Sequence, residues 1–186
     1  MGYFYTNFTL ATAETNVVTR TLKSLKRSAY ITPPINGFTV IYDRVCDEQD
    51  VDEIDRLSNR FSKKLACAVF AVMIHDDDIL GYWLYERGKL LDGYCSCPDY
   101  FDPEADPEAD RGGDAKVLCR ALGSTGAKSV QRVLDSSKYV LEHERHRDLV
   151  KLLNIPQCAI TCGFSSIADG QPPAGLKMSH LIKTGR

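Results

Sequence analysis

The chain has 186 residues and a mass of 20.8 kDa, the size of one domain with a sizeable core. Hydrophobic residues make up 44% and charged residues 26%, which is ordinary for a globular protein and excludes collagen-like, fibrous and disordered chains. The 23 Lys and Arg against 25 Asp and Glu leave a net charge of −2, without an overall basic field for nucleic-acid phosphates or anionic lipids. We therefore expect no nucleic-acid partner and no membrane partner.

Three further observations bear on the cellular compartment. No apolar run approaches the roughly 18 residues that cross a bilayer, and the first residues lack the basic and apolar regions of a secretion signal. The seven cysteines are an odd number, which argues against a disulfide framework. These features predict a cytoplasmic protein with reduced cysteines.

The first 27 residues predict a strand and a helix. The segment Tyr3–Leu10 is rich in aromatic and β-branched residues and alternates roughly as a half-buried strand does. Thr12 is a candidate N-cap for a helix whose apolar residues recur every three to four positions. Those apolar residues are Val17, Val18, Leu22 and Leu25.

The next predicted elements are a hairpin, a helix and a buried strand. Two apolar runs at 28–32 and 37–43 flank Pro33-Pro34-Ile35-Asn36, a typical turn sequence. Apolar residues between 51 and 65 fall on one helical face, with acidic residues at the start and lysines at the end. The uninterrupted apolar run at 67–74 favours a strand that is covered on both faces.

The order βαββαβ predicts an α+β fold with a ferredoxin-like antiparallel sheet. A further hairpin, with strands at 79–86 and 89–94 and Arg87-Gly88 between them, extends this sheet to about six strands. Residues 1–94 are thus expected to form the sheet-and-helix half of a single domain that spans residues 1–186.

The remaining residues divide into a loop, a helical half and a tail. Residues 95–113 are rich in Pro, Asp, Glu and Gly and predict an acidic loop. Residues 114–170 predict a mostly helical half, with helices over 114–122, 129–134 and 139–153 and one late strand over 158–164. Residues 171–186 have little core-forming content and predict a weakly held tail.

Several segments carry a resemblance to known sequences. They are residues 37–43 (GFTVIYD), 75–79 (HDDDI), 83–86 (WLYE), 112–115 (GGDA), 139–142 (YVLE) and 144–146 (ERH). Through them the chain resembles an uncharacterised bacterial protein family of unknown function. The resemblance implies a bacterial, cytoplasmic protein, and it implies no activity, cofactor or catalytic residue.

The run His75-Asp76-Asp77-Asp78 separates two predicted strands. Aspartate is common in hairpin turns because its short side chain bonds nearby backbone N–H groups and tolerates left-handed geometry, so a turn is the favoured interpretation. The alternative is a divalent-metal site made by His75, Asp76 and Asp78, since carboxylates and an imidazole suit Mg²⁺, Mn²⁺ or Zn²⁺. Apart from this alternative we expect no cofactor.

Two other groups of residues have metal-binding chemistry. Residues 142–146 (EHERH) place His143 and His146 three apart, so they lack the four-residue spacing of a zincin helix. A charged solvent-facing helix is favoured there over a helical metal site. Four cysteines at 95, 97, 158 and 162 could supply a zinc site or a redox thiol, but ordinary buried cysteines are favoured because only the second pair has zinc-knuckle spacing.

Two segments are candidates for a binding surface. Trp83 and Tyr85 lie on a predicted strand, where they either pack in the core or present aromatic faces to a partner. The stretch 99–110 holds six carboxylates, among them Asp102, Asp106 and Asp110, and no basic residue. Such a run is usually a solvated loop, and it also suits a basic partner surface.

We expect a non-catalytic binding or interaction protein, regulatory or toxin-neutralising, whose acidic loops face a protein partner. The chain has none of the common nucleotide-binding, hydrolase or metalloprotease motifs. The alternative is a metal-dependent hydrolase or transferase, in which a metal bound by the cluster at 75–78 polarises a phosphoryl or carbonyl oxygen. Enzymatic activity is the less favoured of the two hypotheses.

Overall fold

The computed structural model describes residues 2–100 and 110–185. Its strands are β1 Tyr5–Leu10, β2 Ala29–Ile31, β3 Thr39–Asp43, β4 Ala68–His75, β5 Ile79–Glu86, β6 Lys89–Cys95 and β7 Ile182–Thr184. Its helices are α1 Thr15–Ser24, α2 Val51–Leu65, α3 Ala115–Leu122, α4 Ala127–Leu134, α5 Glu142–Leu152 and α6 Phe164–Ala168. Among these residues, no helix is long and apolar enough to cross a membrane.

The strands form one antiparallel sheet in the order β6-β5-β4-β1-β3-β2-β7. The mixed α+β class is therefore confirmed. Strand β1 lies at the centre, because it pairs with β4 from Tyr5 to Leu10 and with β3 on its other side. Both predicted hairpins are present, one joining β2 to β3 and the other joining β5 to β6.

The sheet lies between two layers of helices. Phe8 and Met73 point to one face, where they pack against α1 and α2. Tyr5 and Val72 point to the other face, where they pack against the helices that follow residue 114. Because both faces are covered, β4 is apolar and buried over almost its whole length, as the sequence predicts.

Helix α2 follows its sequence pattern closely. The side chain of Asp50 accepts hydrogen bonds from the backbone N–H groups of Asp52 and Glu53, which satisfies two of the donors that a helix start leaves open. Lys63 and Lys64 occupy the last turn, where cations suit the helix dipole. For α1, the predicted cap is wrong: Thr12 Oγ1 accepts from Glu14 N–H ahead of the helix, which begins at Thr15 without a side-chain cap.

The prediction of a strand over 158–164 is wrong. This segment contains a 3₁₀ turn at Gln157–Ala159 and leads into α6. The Asn7 side chain donates to the carbonyls of Ala159 and Cys162, at 2.7 and 3.1 Å, and the Tyr42 hydroxyl donates to the carbonyl of Cys158 at 2.6 Å. These carbonyls are therefore satisfied by side chains of the sheet, and the segment has no need of a neighbouring strand.

The prediction of a weakly held tail is wrong for its last residues. Residues 182–184 form β7, which pairs with β2 and adds a seventh strand where about six were expected. The side chain of Thr184 is buried, and its hydroxyl donates to the carbonyl of Arg27 at 3.1 Å. Residues 182–184 are ordered because they pair with the edge of β2, which the local sequence does not predict.

Candidate functional site

The run at 75–78 forms the turn between β4 and β5. Asp76 and Asp77 both adopt left-handed backbone conformations, with φ of 49° and 62°. The N–H of Asp78 donates to the carbonyl of His75 at 3.0 Å and closes the turn. Aspartate tolerates this geometry better than most residues.

The turn holds the N-terminus of α5, although the two segments are 66 residues apart. The N–H of Glu142 donates to the Asp77 carbonyl at 2.8 Å. Asp77 Oδ1 accepts from the backbone N–H of His143 and lies 2.7 Å from its Nδ1. Helix α5 has no side-chain cap of its own, so Asp77 acts as a distant N-cap. This also explains why α5 begins at 142 and not at the predicted 139.

The turn and the start of α5 meet three consecutive aromatic residues ahead of and within β1. The ring of Tyr3 lies 4.8 Å from that of His143, and the ring of Phe4 lies 4.8 Å from that of His75. The Tyr5 hydroxyl lies 2.8 Å from Nδ1 of His146. Each aromatic side chain thus contacts a different histidine. We call this arrangement the junction; its residues are Tyr3, Phe4, Tyr5, His75, Asp77, Glu142, His143, Arg145 and His146.

The expectation of a charged solvent-facing helix at 142–146 is wrong, because Glu142, Arg145 and His146 are buried at 5%, 2% and 1% exposure. Burial, reinforced by the nearby His143, lowers the pKa of His146 to about 3, so its imidazole is neutral. Burial also raises the pKa of Tyr5 well above its usual range. We therefore assign the Tyr5 hydroxyl as the donor and Nδ1 of His146 as the acceptor.

Arg145 is buried and makes several bonds inside the protein. Its guanidinium pairs with both carboxylate oxygens of Glu142, at 2.7 and 3.1 Å, and donates to the carbonyls of Val133 and Leu134 at the end of α4. It also lies over the ring of Tyr139, 4.7 Å from the centroid. Four of its five N–H donors are thus bonded within the protein, and this buried arginine fastens α5 to α4.

His143 is the junction residue whose polar edge remains available. Its Nδ1 is held by Asp77, and no partner for Nε2 occurs within residues 2–100 and 110–185. The side chain is 16% exposed. An imidazole oriented by a carboxylate can donate or accept a hydrogen bond at Nε2, so His143 can contact a bound molecule.

Exposed apolar side chains lie within the junction and beside it. Tyr3, Phe4 and Tyr100 are 46%, 51% and 42% exposed, and Leu141 and Val140, just before α5, are 42% and 84% exposed. Tyr100 belongs to the same surface because its ring lies 5.8 Å from that of His75. We call these five residues the aromatic patch.

The residues of the alternative metal site have other partners. His75 Nδ1 lies 2.7 Å from Gln49 Oε1, and Asp76 Oδ1 accepts from the N–H of Gly2 at 2.9 Å. In the portion of the chain that is described, no group of three or more His, Cys, Asp and Glu side chains is placed to hold a metal ion. The structure therefore does not bring His75, Asp76 and Asp78 together as a ligand set.

The other candidate residues lie away from the junction or outside the described residues. Trp83 packs partly buried against the apolar layer under α2, and the Tyr85 hydroxyl donates to Asp55 on that helix at 2.5 Å. Asp102 and Asp106 lie outside the described residues. Asp110 is exposed and its carboxylate accepts from the N–H of Gly112 at 2.9 Å.

The four cysteines proposed as an alternative zinc or redox site occupy two environments. Cys158 and Cys162 are buried in the core, and burial raises their pKa values to about 11 and about 12. Thiols with such pKa values are unreactive near neutral pH. Cys95 and Cys97 lie at the end of β6, where the Cys97 thiol donates to Asp99 at 3.2 Å.

Comparisons of the chain with protein-family models, with curated proteins and with solved structures find no match. The chemistry of the site therefore follows from its own residues. Sequence reasoning singles out 75–78 and 142–146 separately, yet nothing in their local patterns indicates that the fold joins them. The three consecutive aromatic residues at the start of the chain are a visible signal, but they also fit an ordinary strand.

Proposed function

We propose that this protein is a non-catalytic binding protein that recognises another protein through the aromatic patch. The observation that carries this proposal is the clustering of exposed apolar side chains. Ten large hydrophobic residues are exposed in the described part of the chain, and five of them are the aromatic patch. Contiguous exposed apolar surface is costly in water and commonly marks an interaction site.

The charge around the patch favours a basic partner surface. Asp76 and Asp78 lie in the turn beside Tyr3 and Phe4, and Asp99 precedes Tyr100. The sequence adds five more carboxylates between 102 and 110. Complementary charge steers association and selects partners. A partner with an apolar centre and a rim of lysine or arginine therefore fits this surface, in a regulatory or toxin-neutralising role.

The use of polar groups within the junction also supports binding over catalysis. Glu142 and Arg145 are paired with each other, and Tyr5 is paired with His146, all inside the fold. Catalysis needs acid, base or nucleophilic groups that reach the reacting atoms. In contrast, His143 at the border of the patch suits a single polar contact within an apolar interface.

The proposal is tested with a partner captured from native lysate, identified, purified and titrated against the full chain. Phe4→Ser removes a central aromatic group and should weaken binding about tenfold or more. Leu90→Ser is the matched control, because Leu90 is similarly exposed, at 53%, but lies on β6. Affinity should also fall with added salt because the acidic rim contributes screened attraction. A purified partner that binds the Phe4→Ser protein as tightly as the wild type would overturn the proposal.

We further infer that the elements from β1 to β4 follow the ferredoxin-like topology. The strand order β4-β1-β3-β2 and the placement of α1 and α2 on one face support this assignment. The topology serves many unrelated functions, so it adds no weight to any particular activity.

A further inference from the structure

A cleft between α4 and α5 lies outside the junction and is lined mainly by polar residues. Its volume is about 400 Å³, within the range of small-molecule sites. The cations in its wall are Arg132, Lys138 and Lys151, and two hydroxyl groups, of Ser129 and Ser136, accompany them. We call this the basic cleft.

The three cations of the basic cleft have no counter-ion among the described residues. None of them forms an ion pair with any residue in the described ranges. The one carboxylate in the wall, Asp148, already accepts a hydrogen bond from the Tyr139 hydroxyl at 2.6 Å. Like charges around one cavity repel each other, and an anion bound among them would relieve that repulsion.

Two of the cations are held in position. Arg132 donates through one guanidinium nitrogen to Ser129 Oγ at 3.0 Å, and the Lys138 ammonium lies 5.2 Å from the centre of the Tyr139 ring. Both serine oxygens accept bonds from the protein, Ser129 from Arg132 and Ser136 from the N–H of Lys138 at 3.3 Å. Their own hydroxyl hydrogens are therefore available to an incoming acceptor.

The charges of the whole chain are also unevenly distributed, with an excess of cations in the half that holds the basic cleft. Residues 114–186 contain 11 Lys and Arg but six Asp and Glu, whereas residues 1–113 contain 12 Lys and Arg against 19 Asp and Glu. The near-neutral total thus conceals a basic helical half. An anionic ligand is drawn towards this half and away from the acidic residues 1–113.

We propose that the basic cleft binds the phosphate group of a small phosphorylated molecule such as a nucleoside monophosphate. A phosphate dianion offers several acceptor oxygens, which match a guanidinium, two ammonium groups and two hydroxyl donors. A second cavity of about 710 Å³ adjoins the cleft and shares Asp148 and Lys151 with it. Its lining includes Ile155, Ile160 and the amide side chain of Asn154, which suit the body of such a ligand.

The test is calorimetric titration of the full chain at low ionic strength with inorganic phosphate and with AMP. Both should bind saturably at one site, and AMP should bind about tenfold more tightly because its nucleoside reaches the second cavity. The double substitution Arg132→Gln and Lys151→Gln should weaken both affinities about tenfold or more. Arg120→Gln on α3 is the control, since Arg120 is also exposed and does not line the cleft.

Four results would count against the proposal. Absence of saturable binding of either probe, or unchanged binding by the folded double variant, would overturn the site. Equal affinities for AMP and phosphate would overturn the placement of the ligand body. Affinity for single-stranded RNA that grows with its length and that AMP does not compete would assign the cleft to nucleic acid instead. Phe4→Ser should leave phosphate binding unchanged, which separates this test from that of the protein partner.

Discussion

At the scale of single residues, Asp77 is the polar side chain on which the junction depends most. It is 5% exposed, and its carboxylate accepts bonds from the backbone N–H groups of Tyr3 and His143. A buried carboxylate is tolerated only where such bonds replace its hydration. Asp76 has the same left-handed conformation but is exposed, so the two neighbours share their backbone geometry and differ in burial and in hydrogen bonds.

We expect Asp77→Ala to lower the free energy of unfolding by about 1–3 kcal/mol more than Asp76→Ala does. Both substitutions place alanine at a positive φ and carry similar backbone strain. The difference therefore reports the bonds of Asp77 to His143 on α5 and to Tyr3, less the single bond of Asp76 to Gly2. Urea denaturation of the three proteins measures it. Equal destabilisation by the two substitutions would show that Asp77 does not cap the helix.

The lowered pKa of His146 leads to a prediction of how the stability of the protein depends on pH. Its pKa in the folded protein is about 3, below the value of about 6.5 in an unfolded chain. The unfolded state therefore binds the extra proton first as the pH falls. The stability contributed by the neutral imidazole is complete above pH 6.5 and decreases below it by about 1.4 kcal/mol per pH unit.

This prediction is checked by urea midpoints between pH 7.5 and 5, above the range where most carboxylates titrate. His146→Gln removes the titrating group, so its stability should fall less steeply with decreasing pH than that of the wild type. The neighbouring His143 and Asp77 are present in both proteins, and they cancel in the comparison. Identical slopes for the two proteins would contradict the assignment of His146 as buried and neutral.

At the scale of elements, local patterns predict those helices and strands whose stabilising contacts are local. Helix α2 has its own cap at Asp50 and its own apolar face, and it occupies the predicted residues. The turn of the β5–β6 hairpin, Arg87-Gly88, has both residues at positive φ, as a tight hairpin turn requires. In each case the residues that determine the element lie within about 15 positions of it in the sequence.

The elements that sequence reasoning misplaces depend on distant partners. Helix α5 begins where Asp77 caps it, β7 forms because β2 offers an edge, and residues 158–164 are held by Asn7. The candidate site shows the same division: its turn is readable from the aspartates at 75–78, whereas the contact between Asp77 and His143 is not. A local sequence pattern cannot indicate contacts between residues that are so far apart in the chain.

Asn7 provides a test at this scale. Asn7→Leu removes the donor to the carbonyls of Ala159 and Cys162, and we expect a loss of about 1–3 kcal/mol in the free energy of unfolding. Hydrogen exchange of the amides at 157–163 should accelerate. The substitution also removes the buried Oδ1, which has no partner among the described residues. This offsets part of the loss, so we expect a net loss near the lower end of the range.

Thr6→Val is the matched control on the adjacent residue. The Thr6 hydroxyl is also buried, and it has no hydrogen-bond partner in residues 2–100 and 110–185. Replacing it with a methyl group should therefore leave stability unchanged or raise it by up to about 1 kcal/mol. If Asn7→Leu proved as harmless as Thr6→Val, the Asn7 bonds would not hold the segment.

At the scale of the whole molecule, one sheet supports two helical layers. The face opposite α1 and α2 carries Tyr5, Val72 and Tyr82, all buried beneath the helices that follow residue 114. An uncovered sheet face of this kind exposes a large apolar area to water. We therefore expect that the sheet-and-helix half does not fold stably by itself, although its βαββαβ sequence pattern suggests a separate unit.

We expect a fragment of residues 1–95 to aggregate or to lack cooperative unfolding, whereas the full chain unfolds in one transition seen equally by near-UV and far-UV circular dichroism. The fragment keeps β1 to β6 and both helices of the first layer, so a loss reflects the uncovered face together with the β2 edge that β7 no longer covers. A monomeric fragment with a sharp urea transition would contradict this expectation.

The cap that Asp77 places on α5 also bears on the order of folding. The helix start cannot gain its acceptor until β4 and β5 have met and closed the turn at 75–78. The first turn of α5 should then form after the rate-limiting step, and substitutions at its N-terminus should speed unfolding while leaving the folding rate nearly constant. The β4–β5 hairpin, built from neighbouring residues, is the better candidate for the folding nucleus.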